Sequence, residues 1–132
     1  MAYKVTSLYK AYGKEKVLGG LDLEFPAGKV TVVLGPSGCG KTSLLNILAG
    51  LDTAYSGSVT GFESDAISYV FQEDRLLPWM GAKANIVFAL RNKMGKELAE
   101  KAATDALLAV GLASYLEARP GSLSGGMRRR VA

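Results

Sequence analysis

The sequence predicts an α/β fold in which a buried strand feeds a glycine-rich turn and then a helix, behind an antiparallel β lobe. Three observations carry this. Residues 30–34, Val-Thr-Val-Val-Leu, form an apolar, β-branched run of the kind found in strands buried on both faces. The residues that follow, Gly35, Pro36, Ser37, Gly38, Cys39, Gly40, Lys41 and Thr42, read as G-x-x-x-x-G-K-[ST]. From Ser43, residues 43–49 then place apolar side chains at helical spacing, with Gly50 as a stop.

A glycine-rich turn in this position suits an anion. Glycines let consecutive backbone N–H groups point inward with no Cβ in the way. The following helix aims its unsatisfied N-terminal amides and the positive end of its dipole at the same point. Lys41 is then expected to reach the β- and γ-phosphates of a nucleotide, and the Thr42 hydroxyl to sit on Mg²⁺. Cys39, the single cysteine of the chain, lies in the loop beside Lys41, a setting that makes a thiol reactive. Its alkylation is expected to block nucleotide binding; the alternative is a residue chosen only for its small size.

The other elements follow in order. Residues 3–9 alternate as a half-exposed strand does. A polar turn at 12–16 leads to a second alternating stretch over 17–25, whose apolar members are Leu18, Leu21, Leu23 and Phe25. Pro26, Ala27 and Gly28 turn the chain into 30–34. Beyond Gly50, a loop at 51–57 precedes two strand candidates, 58–60 and 67–71. The segment 72–79, Gln-Glu-Asp-Arg-Leu-Leu-Pro-Trp, leaves the second of these as a polar, proline-broken stretch. Helices are expected over about 82–94, with Ile86, Val87 and Leu90 on one side, and over 97–110. In the latter Leu98, Ala102, Ala106, Ala109 and Val110 fall near one stripe, and Gly111 ends it. Pro120 and Gly121 break the chain before Leu123, Ser124, Gly125 and Gly126 open a basic helix.

At 132 residues, 48% hydrophobic and 21% charged, the chain has the size and composition of one soluble domain. No stretch approaches the length of a membrane span and no signal peptide is evident, so a cytoplasmic location is expected. One cysteine excludes an internal disulfide. Net charge is a mild +4, with Arg128, Arg129 and Arg130 together. Nucleic acid is not an expected partner; a solvated or phosphate-facing helix surface is the plainer reading of the cluster.

Four stretches in register resemble the nucleotide-binding subunits of ABC transporters, over the whole chain. They are the loop Gly-Pro-Ser-Gly-Cys-Gly-Lys-Thr, Phe71-Gln72 in the place of the Q-loop, Leu123-Ser124-Gly125-Gly126 in the place of the signature motif, and Tyr12 in the place of the aromatic that stacks on adenine. The resemblance implies a P-loop NTPase core of ABC type: residues 1–80 as β lobe, P-loop and Q-loop, 81–123 as helical subdomain, and 124–132 as the start of the signature helix. It implies an ATPase with ATP and Mg²⁺ as cofactors. Tyr12 and residues 35–43, from Gly35 to Ser43, would hold the nucleotide. Thr42 and Gln72 would meet the metal, with Gln72, whose amide oxygen accepts from water or binds a cation, as the catalytic reporter of the γ-phosphate. Ser124, Gly125 and Gly126 offer a hydroxyl and bare amides at a helix start. In the family this motif covers the ATP of a partner subunit, so the nucleotide closes a head-to-tail homodimer or a pair of ATP-binding subunits. Met127 departs from the family's commonest glutamine, and similar importer subunits carry methionine there.

Segment 72–79 resembles subunits of bacterial importers for nitrate, sulfonates, taurine and related small solutes. In the family this loop borders the groove that receives the permease. Leu76, Leu77, Pro78 and Trp79 are then exposed apolar groups with a partner; the alternative is Trp79 packed within the helical subdomain. The resemblance implies a cytoplasmic subunit, peripheral on the inner face of the cell membrane. Its partners are a transmembrane permease and, through it, a solute-binding protein. Alternatives are a soluble ABC-type ATPase acting on nucleic acid or ribosomes, and an inactive nucleotide-binding remnant.

In the family an apolar strand ending in Asp-Glu follows the signature, and a switch histidine comes later. The sequence has no histidine and no apolar run capped by Asp-Glu. The domain is therefore expected to be incomplete at its C-terminus, and these residues to hold ATP without hydrolysing it. A missing strand beside 30–34 would leave an open apolar edge, so low solubility is expected too.

Overall fold

The alternating N-terminal residues fold into a hairpin. β1 (Tyr3–Tyr12) and β2 (Glu15–Phe25) pair antiparallel, from Tyr3 opposite Phe25 to Tyr12 opposite Glu15. Residues 13–14 close it, a tighter turn than the polar span 12–16 predicts. β3 (Ser56–Thr60) lies antiparallel on the other side of β1, giving the order β2-β1-β3. This computed structural model describes residues 3–62 and 67–132, and the chain divides into two compact units between Tyr69 and Val70.

β1 changes phase at Ser7. The register shifts between Val5 and Leu8, Ser7 takes a φ of 47°, and its N–H donates to Asp22 Oδ1 at 2.7 Å. The bulge brings Leu8 and Lys10 to burial along with Val5, although strict alternation would oppose them. α1 (Lys41–Leu48) covers this sheet with Leu44, Ile47 and Leu48, at the i, i+3, i+4 spacing of one helix face. Val5, Leu8 and Leu18 meet them, with Leu21, Leu23, Phe25 and Val33 partly buried alongside.

Residues 30–34 are not the buried strand that their composition predicts. Val30, Val32 and Leu34 are 94%, 70% and 86% exposed, and Val33 alone of the run packs on the core. Residues 67–71 are not in a strand either. The physical reason is the same for both. A parallel strand takes its ladder and both its covers from neighbours. Among the described residues the only sheet is the three-stranded antiparallel one.

The second unit is helical. α2 (Ala82–Met94) and α3 (Lys96–Ala109) form a helical hairpin about Gly95, and α4 (Gly125–Val131) follows single 3₁₀ turns at Ala113–Tyr115 and Pro120–Ser122. Ala82, Leu107, Leu112, Leu123 and Val131 form the core, with Leu76, Ile86, Leu116 and Met127 packed on it. On α3 the buried stripe is Ala99, Ala103 and Leu107, one position from the expected one; Leu98 is 62% exposed. Among the described residues, no helix is long and apolar enough to cross a membrane.

Asn85 is the polar member of this interior. Its Oδ1 accepts from Leu77 N–H at 2.7 Å, while Nδ2 donates to the carbonyls of Leu77, Met80 and Gly81 at 3.1–3.2 Å. It thereby pins the loop before α2 onto the helix. Asn85→Ala takes this partner from the Leu77 N–H and the Met80 carbonyl in a part-buried place, while the Leu77 and Gly81 carbonyls keep the N–H groups of Met80 and residue 85, and it is expected to cost about 2 kcal/mol. Urea denaturation of the chain reads the loss; a cost below about 0.5 kcal/mol, the level of an ordinary surface substitution, contradicts the role.

Candidate functional site

The glycine-rich loop is shaped by close approach and by left-handed backbone. Gly38 and Gly40 have φ of 79° and 95°, and Gly40 is the residue from which α1 starts, its carbonyl accepting Leu44 N–H at 2.9 Å. A Cβ on Gly40 would stand 2.8 Å from Leu18 Cδ2, 2.9 Å from Val17 Cγ1 and 3.1 Å from the Val17 carbonyl. A Cβ on Gly35 would meet Cys39 Sγ at 2.6 Å. Bare backbone is therefore a steric requirement at Gly40, which faces the start of a helix, whereas at Gly35 the Cys39 side chain could turn aside.

Lys41 opens α1 and turns back over the loop. Its ammonium donates to the carbonyls of Gly35 at 2.8 Å and Pro36 at 2.6 Å, and lies 3.7 Å from Cys39 Sγ. Cys39 is exposed. Thr42 is exposed beside it, and Ser43 half-buried. Loop amides, a helix start and one aimed cation fit the phosphates of a nucleotide. The donors for a divalent cation are sparse. Thr42 offers a neutral hydroxyl, and no group of three or more His, Cys, Asp or Glu converges among the described residues. A cation such as Mg²⁺ would be held here chiefly through the phosphates it accompanies.

The fold brings Tyr12 to this loop from the end of β1. Its hydroxyl lies 3.3 Å from Ser43 Oγ and donates to Asp52 Oδ2 at 3.1 Å. Asp52 is in turn paired with Lys10, whose ammonium is 2.7 Å from Oδ2. Sequence reasoning passes over Lys10 and Asp52, which are far apart in the chain. The one signal is that Lys10 keeps step with Leu8 in β1, on the inward face after the bulge. The hydrogen bond from Lys10, followed by that from Ala54 N–H, holds the Asp52 carboxyl below its ordinary 3.8. Because the folded value is lowered, this pairing stabilises the fold fully above pH 3.8 and is lost as pH falls through the folded value. The stability difference between the natural chain and Asp52→Asn is expected to shrink on acidification from neutral pH, read by urea denaturation. A difference that grows in acid contradicts the sign.

Gln72 and the Ser124–Gly126 stretch fall in the other unit. Gln72 is exposed, and its backbone carbonyl accepts from Arg129 Nη1 at 2.9 Å, as does that of Phe71. Ser124 caps α4, its Oγ accepting from Met127 N–H at 3.2 Å, and as a hydroxyl it keeps a proton to donate. Met127 packs on the helical core. The three arginines are not simply a solvated surface. Arg128 pairs with Asp74 at 3.0 Å and donates to the Leu123 carbonyl, while Arg130 donates to the Val110 carbonyl at 2.8 Å. The basic cluster thus ties α4 to the stretch around Gln72 and to the end of α3. In the segment before α2, Leu76 packs on the core and does not stand exposed, whereas Trp79 is 68% exposed and does not pack within the helices.

A family model described as ABC transporter matches residues 18–132. The chain is 43% identical to the aliphatic sulfonates import ATP-binding protein SsuB 1 of Mesorhizobium japonicum, over 99% of this chain and 51% of that protein. It is 42% identical to the protein of the same name from Rhizobium johnstonii, over 99% and 50%. The chain thus spans about half the length of the curated relatives it matches. Among solved structures, the dimeric structure of MJ0796, a bacterial ABC transporter cassette, matches with a TM-score of 0.83 and 29% identity. The same cassette in a post-hydrolysis state bound to ADP and Pi matches at 0.80 and 28%. Each match covers 99% of this chain and 66% of the other.

Proposed function

Because this chain belongs to the ABC transporter family, we propose that it forms the nucleotide-binding portion of an ATP-binding subunit that powers import of a small solute of the aliphatic sulfonate class. The observation that carries the reading is the loop itself: left-handed Gly38 and Gly40, the start of α1, and the Lys41 ammonium turned onto the loop carbonyls. The solute class follows the curated relatives, which are import proteins for aliphatic sulfonates.

In this reading the amides of residues 38–42 and the Lys41 ammonium bind the phosphates, and Tyr12 lies against the base. Mg²⁺ would be met by Thr42, and when bound it would supply neutralisation of the phosphate charge. Gln72 reports the γ-phosphate, and Ser124, Gly125 and Gly126 cover the nucleotide of a second ATP-binding subunit in a dimer. The exposed Trp79, on a loop pinned by Asn85, is the docking point for the permease. The subunit then works as a peripheral protein on the inner face of the membrane. With no histidine and no Asp-Glu pair, these residues hold ATP without cutting it.

The test is a titration of the purified chain with MgATP, followed by a phosphate-release assay on the same sample. Saturable binding with no release above background supports the reading. Absence of binding overturns the nucleotide site, and steady turnover overturns the division between holding and hydrolysing.

A further inference from the structure

Resting on the reading that Tyr12 meets the base of a bound nucleotide, we propose that Lys10 and Asp52 are positioning residues that hold the Tyr12 ring ready for it. Lys10 is 5% exposed. A lysine ammonium is costly to bury unless it is paired and hydrogen-bonded, and here it is both. It donates to Asp52 Oδ1 at 2.8 Å and the Ala54 carbonyl at 2.7 Å, besides its contact with Oδ2. The carboxylate is fixed in turn by Ala54 N–H, which donates to Oδ1 at 3.0 Å.

The geometry gives this buried pair an object. Lys10 Nζ stands 4.6 Å from the centroid of the Tyr12 ring, within cation–π range. Asp52 Oδ2 accepts the Tyr12 hydroxyl, which also lies beside Ser43 Oγ, one residue past Thr42 in α1. The ring is therefore held at its body by a cation and at its tip by two groups, one of them on the phosphate-loop helix. It stays 50% exposed. Tyr12 stands at the end of β1, next to a two-residue turn. An untethered side chain there would have to be ordered by the ligand, and ordering of that kind weakens binding several-fold. The pair thus acts through Tyr12 and sets how much the base adds to an affinity that the phosphates begin.

The experiment compares dissociation constants for MgATP and for magnesium tripolyphosphate, which has the phosphates and no base. It uses the chain, Asp52→Ala, Lys10→Met and Lys10→Arg. Asp52→Ala and Lys10→Met are expected to weaken ATP binding about fivefold, the low end of what base stacking contributes, and tripolyphosphate binding less than about twofold. Lys10→Arg, which keeps the charge, is expected to recover part of the ATP advantage. An ATP-to-tripolyphosphate ratio unchanged in Asp52→Ala and Lys10→Met overturns the proposal, as does an equal loss for both ligands. Where Asp52→Ala fails to fold, Asp52→Asn decides by the same ratio. Failure of the natural chain to bind tripolyphosphate overturns the phosphate site itself. Equal affinity for the two ligands in the natural chain overturns the base contact of Tyr12.

Discussion

Lys41→Ala is expected to weaken MgATP binding on the order of a hundredfold. A charge-assisted contact to phosphate contributes about 2–3 kcal/mol, and about 2.7 kcal/mol is two decades in Kd. The side chain is already committed to the loop, with its ammonium on the carbonyls of Gly35 and Pro36. Those are uncharged acceptors, and an anion in the loop competes for the same cation with a stronger pull. Lys41 lies outside the hydrophobic core, so the melting transition is expected to stay within a few degrees of that of the natural chain. Calorimetric titration of the two proteins side by side checks both points; a loss below about threefold contradicts the assignment.

Gly40→Ala is expected to act on the fold as well as on the site. At φ 95° an L side chain is strained by about 1–2 kcal/mol. Its Cβ would also press on Leu18 and Val17 at 2.8–3.1 Å, among them a backbone carbonyl that yields little. Overpacking of that kind adds about 1–3 kcal/mol, for a total near 3 kcal/mol. Gly38→Ala is the control. It shares the left-handed backbone, at 79°, but its Cβ would meet nothing within 4 Å. It should lose only the backbone part, about 1–2 kcal/mol. Denaturant midpoints of the two variants separate strain from collision, and equal losses contradict the close approach of Gly40 to β2.

The hairpin, the glycine-rich loop and the two helices of the second unit are legible in the sequence because each depends on local signals. A turn, a run of glycines and a 3.6-residue period act within a dozen residues of one another. The strand at 30–34 is not of that kind. Its apolar residues announce burial, but the ladder and the covers come from other segments, and the described residues supply only an antiparallel sheet. On α3 the face that packs is one position away from the expected stripe: Ala99, Ala103 and Leu107 are fully buried, and Leu98 is left exposed. Apolar stripes of similar strength lie on this helix, and only the packing partner decides between them.

At the site, the backbone cradle is written in its glycines, whereas its supports are not. Lys10 looks like an ordinary strand lysine until the Ser7 bulge shifts the phase of β1 and turns it inward. Asp52 sits in a loop that nothing local connects to Tyr12. Arg129 is one of three adjacent arginines, and only the folded chain shows that it grips the backbone at Gln72. Long-range polar partnerships of this sort leave almost no periodic trace.

The sharpest probe of nucleotide binding at the loop is Cys39. It is the single cysteine, it is exposed, and its sulfur lies 3.7 Å from the Lys41 ammonium. Alkylation therefore reports on one point inside the candidate phosphate site, with no competing thiol. Its rate with a maleimide is to be measured with and without saturating MgATP. Occupation of the loop predicts a slowing of about tenfold or more at a ligand concentration well above Kd. Equal rates under the two conditions would contradict a nucleotide bound at residues 35–42.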